Sequence, residues 1–296
     1  MYPILLRSVH SVTNIHYDKL SFGLNILFSF LAAWFLFRLA RIDYPEKSAL
    51  VVVTVFLFFP PAYFFLSGYP DVLFVFLAVM SLYFSRKRNW IGAGIAAGLL
   101  ALTKPYGIFM WPVILIEYAW SHQWDFKTFL KRFDWLPLLL PIVFFGGFVL
   151  FNAVTFHNPM AFLEAQKTWG RSLENPASAL LKEARNFLGS SALFSGAHFP
   201  YMVYVLSFLF SIVAITLSWS RVRKSYLLFS GLLLFSALLT GTLTSFGRYM
   251  LLGFPVLIGP SVYLSERKRL LSVYLFISCL ALLLLAHLFV RCYPVE

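Results

Sequence analysis

Long apolar runs separated by short polar connections constrain the fold of this chain more than any other feature. A helix needs about 20 apolar residues to cross the hydrocarbon core of a bilayer. Ten runs approach that length, namely 19–40, 48–66, 70–85, 90–103, 106–121, 135–156, 199–219, 225–241, 247–264 and 270–290. None alternates in the way that the roughly ten-residue strands of outer-membrane barrels do. The pattern predicts an all-α polytopic membrane protein with about ten transmembrane helices.

Composition supports the membrane assignment and excludes other classes of protein. Hydrophobic residues make up 60% of the 296 residues and charged residues 12%. Soluble domains have roughly 45–50% apolar and about 25% charged residues. A water-soluble globular fold and a disordered chain are therefore excluded. The two cysteines, Cys279 and Cys292, are too few to form a disulfide framework.

The 24 Lys and Arg residues outnumber the 12 Asp and Glu residues, for a formal net charge of +12. This excess would suggest a nucleic-acid partner in a soluble protein, but membrane proteins collect basic residues in cytoplasmic loops. We therefore expect a bilayer and no nucleic acid. Five connections carry three basic residues each: Arg38/Arg41/Lys47, Arg86/Lys87/Arg88, Lys127/Lys131/Arg132, Arg221/Arg223/Lys224 and Arg267/Lys268/Arg269. All five fall on one side, predicted cytoplasmic, only if 90–121 is a hairpin rather than one helix kinked at Pro105.

The opposite side then holds a long loop, 157–198, that is expected to contain secondary structure. Asn158-Pro159 and Asn175-Pro176 are both typical helix starts. After Asn175, apolar residues recur at helical spacing, at Ala179, Leu180, Ala184, Phe187 and Leu188. The loop is predicted to contain two short interfacial helices. Because no repeat, low-complexity tract or soluble segment interrupts the chain, 1–296 is expected to form a single transmembrane domain.

Polar side chains at this outer boundary are costly near a membrane and therefore informative. Asp71 opens the third apolar helix, where a carboxylate either caps the helix, acts as a general base or orients a sugar hydroxyl. Lys104 either snorkels to the interface or pairs with a phosphate. Arg248 lies at the outer start of another helix, and either anchors that helix or binds an anion. Acidic, basic and aromatic groups on one boundary predict handling of an anionic, lipid-linked substrate.

The remaining outer residues allow narrower predictions. Trp169 either stacks on a sugar ring or anchors an interfacial helix, and Arg171 lies two residues further on. The four outer histidines are not at metal-ligand spacing, so no zinc site is predicted. The glycines between Gly92 and Gly98 indicate close helix packing rather than nucleotide binding.

Four ordered segments resemble those of a known family. They are Phe59–Phe74 (FPPAYFFLSGYPDVLF), Gly94–Gly107 (GIAAGLLALTKPYG), Asn158–Arg171 (NPMAFLEAQKTWGR) and Gly241–Tyr249 (GTLTSFGRY), the last followed by Phe254-Pro255. Together they resemble the PIG-V-like mannosyltransferases, which belong to the GT-C class of polytopic glycosyltransferases. Asp71 stands where this family usually has Glu. The resemblance covers nearly the whole chain, and it implies a GT-C-like fold.

The resemblance implies transfer of mannose, or a related sugar, from a polyprenyl-phosphate donor to an extracytoplasmic acceptor with inversion. In such a reaction an Asp of the first outer loop takes the acceptor's proton, while Lys and Arg stabilise the departing lipid phosphate. The matched positions make Asp71 the catalytic candidate, with substrate-binding candidates at Tyr69, Lys104, Gln166, Trp169, Arg171, Arg248 and Tyr249. Because the donor is already activated, no ATP site is required. The sequence specifies neither a divalent metal nor the acceptor.

The start of the chain departs from this family. Members begin with a transmembrane helix and a loop containing Trp-Asp, whereas Met1–Arg7 resembles a later segment. The topology also places Met1 on the extracytoplasmic side. Both observations predict an N-terminally truncated chain or a mis-called start. If Met1 is the true start, the expected base is missing, and Asp71 is the acidic candidate left, in a substrate-binding or supporting role. Two alternatives are a non-catalytic homologue or subunit and a transporter or flippase for a lipid-linked anion. Short loops favour a bacterial cytoplasmic membrane, with an extracytoplasmic active face.

Overall fold

The computed structural model describes residues 1–125, 133–168, 170–188 and 199–293. These ranges contain helices and no strands. The α-helices are α1 Tyr2–Thr13, α2 Tyr17–Asp43, α3 Glu46–Leu57, α4 Asp71–Arg86, α5 Trp90–Thr103, α6 Met110–Ser121, α7 Leu140–Phe156, α8 Ala161–Lys167, α9 Pro176–Leu188, α10 Phe199–Trp219, α11 Lys224–Leu238, α12 Phe246–Leu252, α13 Ile258–Ser265 and α14 Lys268–Val290. Short 3₁₀ turns occupy Pro60–Phe65, Pro105–Phe109, Leu136–Leu139 and Phe254–Leu257.

Each of the ten apolar runs contains helix, but several runs are broken by proline. The run 48–66 divides into α3 and the turn Pro60–Phe65, and the run 247–264 divides into α12, the turn Phe254–Leu257 and α13. Proline has no amide hydrogen and clashes with the preceding helical turn, so it ends or interrupts a helix. Runs of sufficient overall length therefore become pairs of short helical segments.

Four helical segments in the described ranges are long and apolar enough to cross a membrane. They are Tyr17–Asp43, Leu136–Phe156, Phe199–Trp219 and Lys268–Val290. The last of these is largely exposed along its length, with Phe276 67% and Leu283 59% accessible. Large apolar faces of this kind are expected against lipid rather than water. The chain is thus an integral, all-α membrane protein, and the full set of ten spans stays a prediction.

The segment 90–121 forms a hairpin, as the distribution of charge predicts. Helix α5 ends at Thr103, and Lys104 is extended, with φ −145° and ψ 142°. The chain then makes the 3₁₀ turn before α6 begins. Trp90 at the start of α5 contacts Tyr118 near the end of α6, with ring centroids 4.9 Å apart. A contact between those two ends requires antiparallel helices, which excludes a single kinked helix.

The described residues group into two compact units. One comprises Met1–Leu57 and Phe64–Phe151, and the other comprises Phe58–Tyr63 and Asn152–Glu296. In the first unit α4 is the central helix, since it packs against both α2 and α5 and buries Val72, Phe74 and Ala78 completely. The single transmembrane domain that the sequence predicts for 1–296 stays a prediction.

The second unit packs α10 against α13 and α11 against α12. Its helices approach closely at small residues. A Cβ atom at Gly259 on α13 would lie 2.4 Å from the Cα of Ser218 on α10. In the first unit the glycines of α5 do the same, since a Cβ at Gly94 would lie 2.0 Å from the carbonyl oxygen of Pro137. This is the close packing that the run of small residues predicts.

Within each unit, two predicted cytoplasmic patches meet at one tyrosine. The guanidinium of Arg38 and the ammonium of Lys87 lie 5.1 and 6.0 Å from the ring centroid of Tyr83. In the second unit the guanidinium groups of Arg221 and Arg267 lie 5.6 and 3.9 Å from the ring centroid of Tyr263. Each pair of patches therefore shares one end of its unit. The patch Lys127/Lys131/Arg132 lies outside the described residues.

The long outer loop contains the two predicted short helices, α8 and α9. The side chains of Asn158 and Asn175 accept hydrogen bonds from the amides two residues later, both at 2.9 Å. Helix α9 begins at Pro176, whereas α8 begins only at Ala161. The predicted apolar stripe of α9 contains both buried and exposed residues, and its contact with the membrane stays a prediction. Ala179 is buried and Ala184 is exposed, because the buried position one turn beyond Ala179 is Glu183.

Candidate functional site

The first polar cluster is centred on Asp71 and Lys104, which the sequence separates by 33 residues. Asp71 opens α4 and its side chain is completely buried. Lys104 occupies the extended position between α5 and the following turn, and its side chain is 16% exposed. Its Nζ donates a 2.6 Å hydrogen bond to Asp71 Oδ1. The opposite charges compensate the cost of burying the carboxylate, so the simple capping role considered for Asp71 is insufficient.

The position of Lys104 depends on the tight turn that follows it. Gly107 is buried, and its amide donates a 2.8 Å hydrogen bond to the carbonyl oxygen of Lys104. A Cβ at Gly107 would lie 2.3 Å from the carbonyl oxygen of Leu100. Only glycine permits this close approach of the turn to the end of α5. The turn thereby holds the lysine backbone opposite the start of α4.

The sequence reasoning missed Asn25, which organises the loop before Asp71. Asn25 lies on α2 with no exposed surface. Its Nδ2 donates to the carbonyl oxygens of Ser67 and Tyr69, the latter at 3.1 Å, and its Oδ1 accepts from the hydroxyl of Tyr2 at 2.9 Å. A lone amide in an apolar run is a signal that could have identified it, since polar groups inside membrane segments are costly.

The candidate Tyr69 belongs to the same cluster. Its backbone carbonyl is held by Asn25, and its ring is half-buried and contacts Phe64, with centroids 5.9 Å apart. The turn 67–70 is thus attached to α2 directly before α4 begins. The structure joins Asp71 to Lys104 in the first unit and places Tyr69 in the turn directly before Asp71. The role of these residues in a site stays a prediction.

The second polar cluster joins the outer loop to the turn before α12, within the second unit. Arg171 donates from Nη1 to Gln166 Oε1 and from Nη2 to Ser245 Oγ, both at 3.2 Å. Two features of the backbone position this guanidinium. Gly170 has φ +66°, which turns the chain after α8, and Ser245 has φ +65°. Trp169 lies outside the described residues.

Arg248 and Tyr249 follow Ser245 on α12, and Arg248 is half-buried while Tyr249 is 4% exposed. The anion-binding argument for Arg248 relied on the start of a long helix. Helix α12 has only seven residues, because the chain departs from the α-helix at Gly253, before Phe254-Pro255. The contribution of a helix dipole is therefore small, and the positive charge of the guanidinium is the remaining basis for this candidate.

The turn before α12 contacts two carboxylates that were not selected as candidates. The hydroxyl of Thr242 donates to Glu183 Oε1 at 3.0 Å. The backbone amide of Glu174 donates to the carbonyl oxygen of Leu239 at 3.0 Å, and a Cβ at Gly241 would lie 2.5 Å from the Glu174 carboxyl carbon. No three His, Cys, Asp or Glu side chains in the described ranges are grouped as metal ligands.

These features define a polytopic α-helical membrane protein with polar clusters at its loop ends. Residues 1–163 match the family of dolichyl-phosphate-mannose-protein mannosyltransferases. Because the match covers more than half of the chain, the protein belongs to this family of GT-C type. No curated protein and no solved structure matches the chain.

The family match extends through the first polar cluster and ends inside the segment Asn158–Arg171. The motif segment Gly241–Tyr249 lies beyond the match. Membership indicates a membrane mannosyltransferase, with a lipid bilayer and a lipid-linked sugar donor as partners. It does not favour the transporter or the non-catalytic subunit.

Proposed function

We propose that this chain is a PIG-V-like enzyme that transfers mannose, or a related sugar, from a polyprenyl-phosphate donor to an extracytoplasmic acceptor. The buried Asp71–Lys104 pair, which lies inside the family-matched region, is the observation that carries this proposal. An ammonium group at a buried loop end is suited to binding the phosphate of a lipid-linked donor. The bacterial cytoplasmic membrane and the extracytoplasmic active face are parts of the same proposal.

In the proposed reaction, an acceptor hydroxyl attacks the anomeric carbon from the face opposite the phosphate. The bond between that carbon and the phosphate oxygen breaks, the configuration inverts and the polyprenyl phosphate leaves with the bonding electrons. Lys104 stabilises the negative charge that develops on the leaving phosphate. The acceptor's proton passes to water at the outer boundary, so the step requires no carboxylate base from either polar cluster.

Asp71 acts through Lys104 in this proposal. Its carboxylate is completely buried and bonded to Nζ, so it is better placed to orient the ammonium than to collect a proton from an acceptor. Asp71 is thus a positioning residue. Within the second unit, Arg171 and Arg248 are proposed to bind anionic oxygen atoms of a substrate, and Gln166 and Tyr249 to contact a sugar. Trp169 is proposed as a sugar contact from the sequence alone.

The test uses the full chain reconstituted in liposomes with radiolabelled polyprenyl-phosphate mannose and octyl α-D-mannopyranoside as acceptor. Asp71→Asn and Lys104→Gln are each expected to lower transfer about 100-fold, the scale of losing one preorganised electrostatic group. The double variant should be little worse than either single variant, because residues that act as a unit are not additive. Asp18→Asn and Lys19→Gln change exposed residues at the start of α2 and should retain wild-type transfer.

Absence of transfer by the wild type from this donor would contradict the proposed activity. Wild-type turnover in both single variants would contradict the role of the ion pair. Circular dichroism and the unfolding midpoint of each variant separate a loss of chemistry from a loss of fold.

A further inference from the structure

Glu183 is a buried carboxylate that is only half satisfied. It lies on α9 and is 3% exposed. The hydroxyl of Thr242 donates to its Oε1 at 3.0 Å. Its other oxygen, Oε2, is fully buried and has no hydrogen-bond partner among the described residues. Neither the motif resemblance nor the family match assigns a role to this side chain.

Hydrogen bonds link Glu183 to Thr242 and Thr242 to Thr244, which directly precedes Ser245 of the second polar cluster. The hydroxyls of Thr242 and Thr244 lie 2.7 Å apart, and the amide of Thr244 donates to Thr242 Oγ1 at 3.1 Å. The next residue, Ser245, accepts from Arg171. Glu183 on α9 therefore contacts, through Oε1, the same turn whose Ser245 accepts a hydrogen bond from the candidate guanidinium.

Leaving a buried acceptor without a donor is costly, and the cost is greater when the acceptor is ionised. Native proteins normally satisfy such atoms with protein, water or ligand donors. The donor that reaches Glu183 from this turn is the hydroxyl group of Thr242, which is bonded to Oε1. A further hydroxyl would complete the pair of acceptor sites on the carboxylate, and a sugar is rich in hydroxyl groups.

We propose that Glu183 is a sugar-binding residue whose Oε2 accepts a hydrogen bond from one hydroxyl group of the carbohydrate substrate. This inference rests on the proposed glycosyltransferase function and specifies a binding contact within it. Glu183 takes no proton and forms no covalent bond in this role. Its carboxylate fixes the orientation of the sugar, while the arginine of the same cluster binds anionic oxygen atoms.

The test measures equilibrium binding of octyl α-D-mannopyranoside, and of its four monodeoxy analogues, to the full chain in lipid nanodiscs. Wild type should bind the parent mannoside and lose about tenfold in affinity for one monodeoxy analogue, the scale of a hydrogen bond to a charged group. In Glu183→Gln, the parent should bind about tenfold more weakly, and that deoxy discrimination should disappear. Glu183→Asp should also lose the discrimination, because the shorter side chain withdraws the oxygen.

Glu164→Gln is the matched control, since Glu164 is an exposed glutamate on α8 in the same outer loop. It should bind every probe as wild type does. The unfolding midpoint of each variant is measured in the same nanodiscs, and Glu183→Asp tests the contact if Glu183→Gln does not fold.

Three results would overturn the inference: no mannoside binding by the wild type, unchanged deoxy discrimination in folded Glu183 variants, or an ordered water as the sole partner of Oε2. The transfer assay distinguishes this failure from failure of the proposed function. If the wild type transfers sugar but the Glu183 variants bind the mannosides as the wild type does, only the Glu183 contact is rejected. If binding depends on Glu183 but the wild type transfers no sugar, only the enzymatic activity is rejected.

Discussion

Single buried polar side chains determine how the loop ends of the first unit are held. Asn25 is the clearest case, because one amide serves three partners: the carbonyl oxygens of Ser67 and Tyr69 and the hydroxyl of Tyr2. These bonds attach the turn before Asp71 to α2. An asparagine that is costly in an apolar helix is thereby compensated, since all of these groups are satisfied by one another.

Asn25→Ala should lower the free energy of unfolding by about 3 kcal/mol, because it leaves several polar groups unsatisfied and creates a cavity. The unfolding midpoint in detergent should fall by roughly 6–12 °C. Ser29→Ala, one turn further along α2, removes only a bond to a backbone carbonyl and should cost about 0.5 kcal/mol or less. Equal midpoints for Asn25→Ala and wild type would show that the amide network does not hold the turn.

Tyr44, just beyond α2, should titrate unusually late. Burial raises the pKa of its phenol to about 12, the negative charge of Asp43 adds to this rise, and Arg86 opposes it. The neutral phenol is favoured in the folded state, so this stability is fully present below the ordinary pKa of 10.0 and is lost as the pH rises through about 12.

Near-ultraviolet titration of phenolate absorbance, taken as wild type minus Tyr44→Phe, should show a midpoint of about 12. Asp43→Asn should lower that midpoint, because it removes the negative charge that raises the pKa of Tyr44 and leaves the positive charge of Arg86, which lowers it. Burial, the largest cause, should still keep the midpoint above the ordinary value. A midpoint at the ordinary value in the wild type would indicate that Tyr44 is solvated.

At the scale of elements, the turn between α5 and α6 depends on one glycine. Gly107→Ala would place a Cβ 2.3 Å from the carbonyl oxygen of Leu100, against backbone that has little room to move. The variant should be destabilised by about 2 kcal/mol, and the displaced Lys104 should lower sugar transfer along with stability.

Gly23→Ala provides the matched control, since nothing lies within 4 Å of a Cβ at Gly23 on α2. That substitution should be neutral or stabilising by up to about 1 kcal/mol, because alanine is the better helix former. The two variants are compared by unfolding midpoint and by transfer. A similar effect of both substitutions would exclude a specific steric role for Gly107.

At the scale of the whole molecule, the membrane topology remains the main prediction. Helix α4 is about 24 Å long at 1.5 Å per residue, shorter than a hydrocarbon core of about 30 Å. It is nevertheless the central helix of the first unit, with a basic patch at one end and the Asp71 cluster at the other. The two ends of α4 are thus predicted to face opposite sides of the membrane.

Single cysteine substitutions test this topology. They are placed at Gly68 and Arg88, two exposed positions that flank α4. Both are introduced after Cys279 and Cys292 have been replaced by alanine. A membrane-impermeant maleimide applied to intact cells should label Gly68→Cys directly and Arg88→Cys only after permeabilisation. Labelling of both positions from the same side would contradict the arrangement that the basic patches predict.

The sequence alone determined the class of the protein and the positions of most of its helices, whereas α1 lies before the first predicted apolar run. Apolar runs predict helices because the bilayer leaves no alternative partner for backbone polar groups. Proline, asparagine and glycine mark where the helices begin, break and end. The hairpin at 90–121 followed from charge alone, because only that arrangement placed all the basic patches on one side.

Only the tertiary structure decided which of the outer polar residues act together. Asp71 and Lys104 were separate candidates with separate capping and snorkelling alternatives, and packing of α4 against α5 made them an ion pair. Helical spacing alone placed Ala184 in the apolar stripe of α9, whereas the fold buried Glu183 against Thr242. Periodicity reports which residues share one helix face, but the partner of a buried polar group comes from a distant part of the chain, and packing selects it.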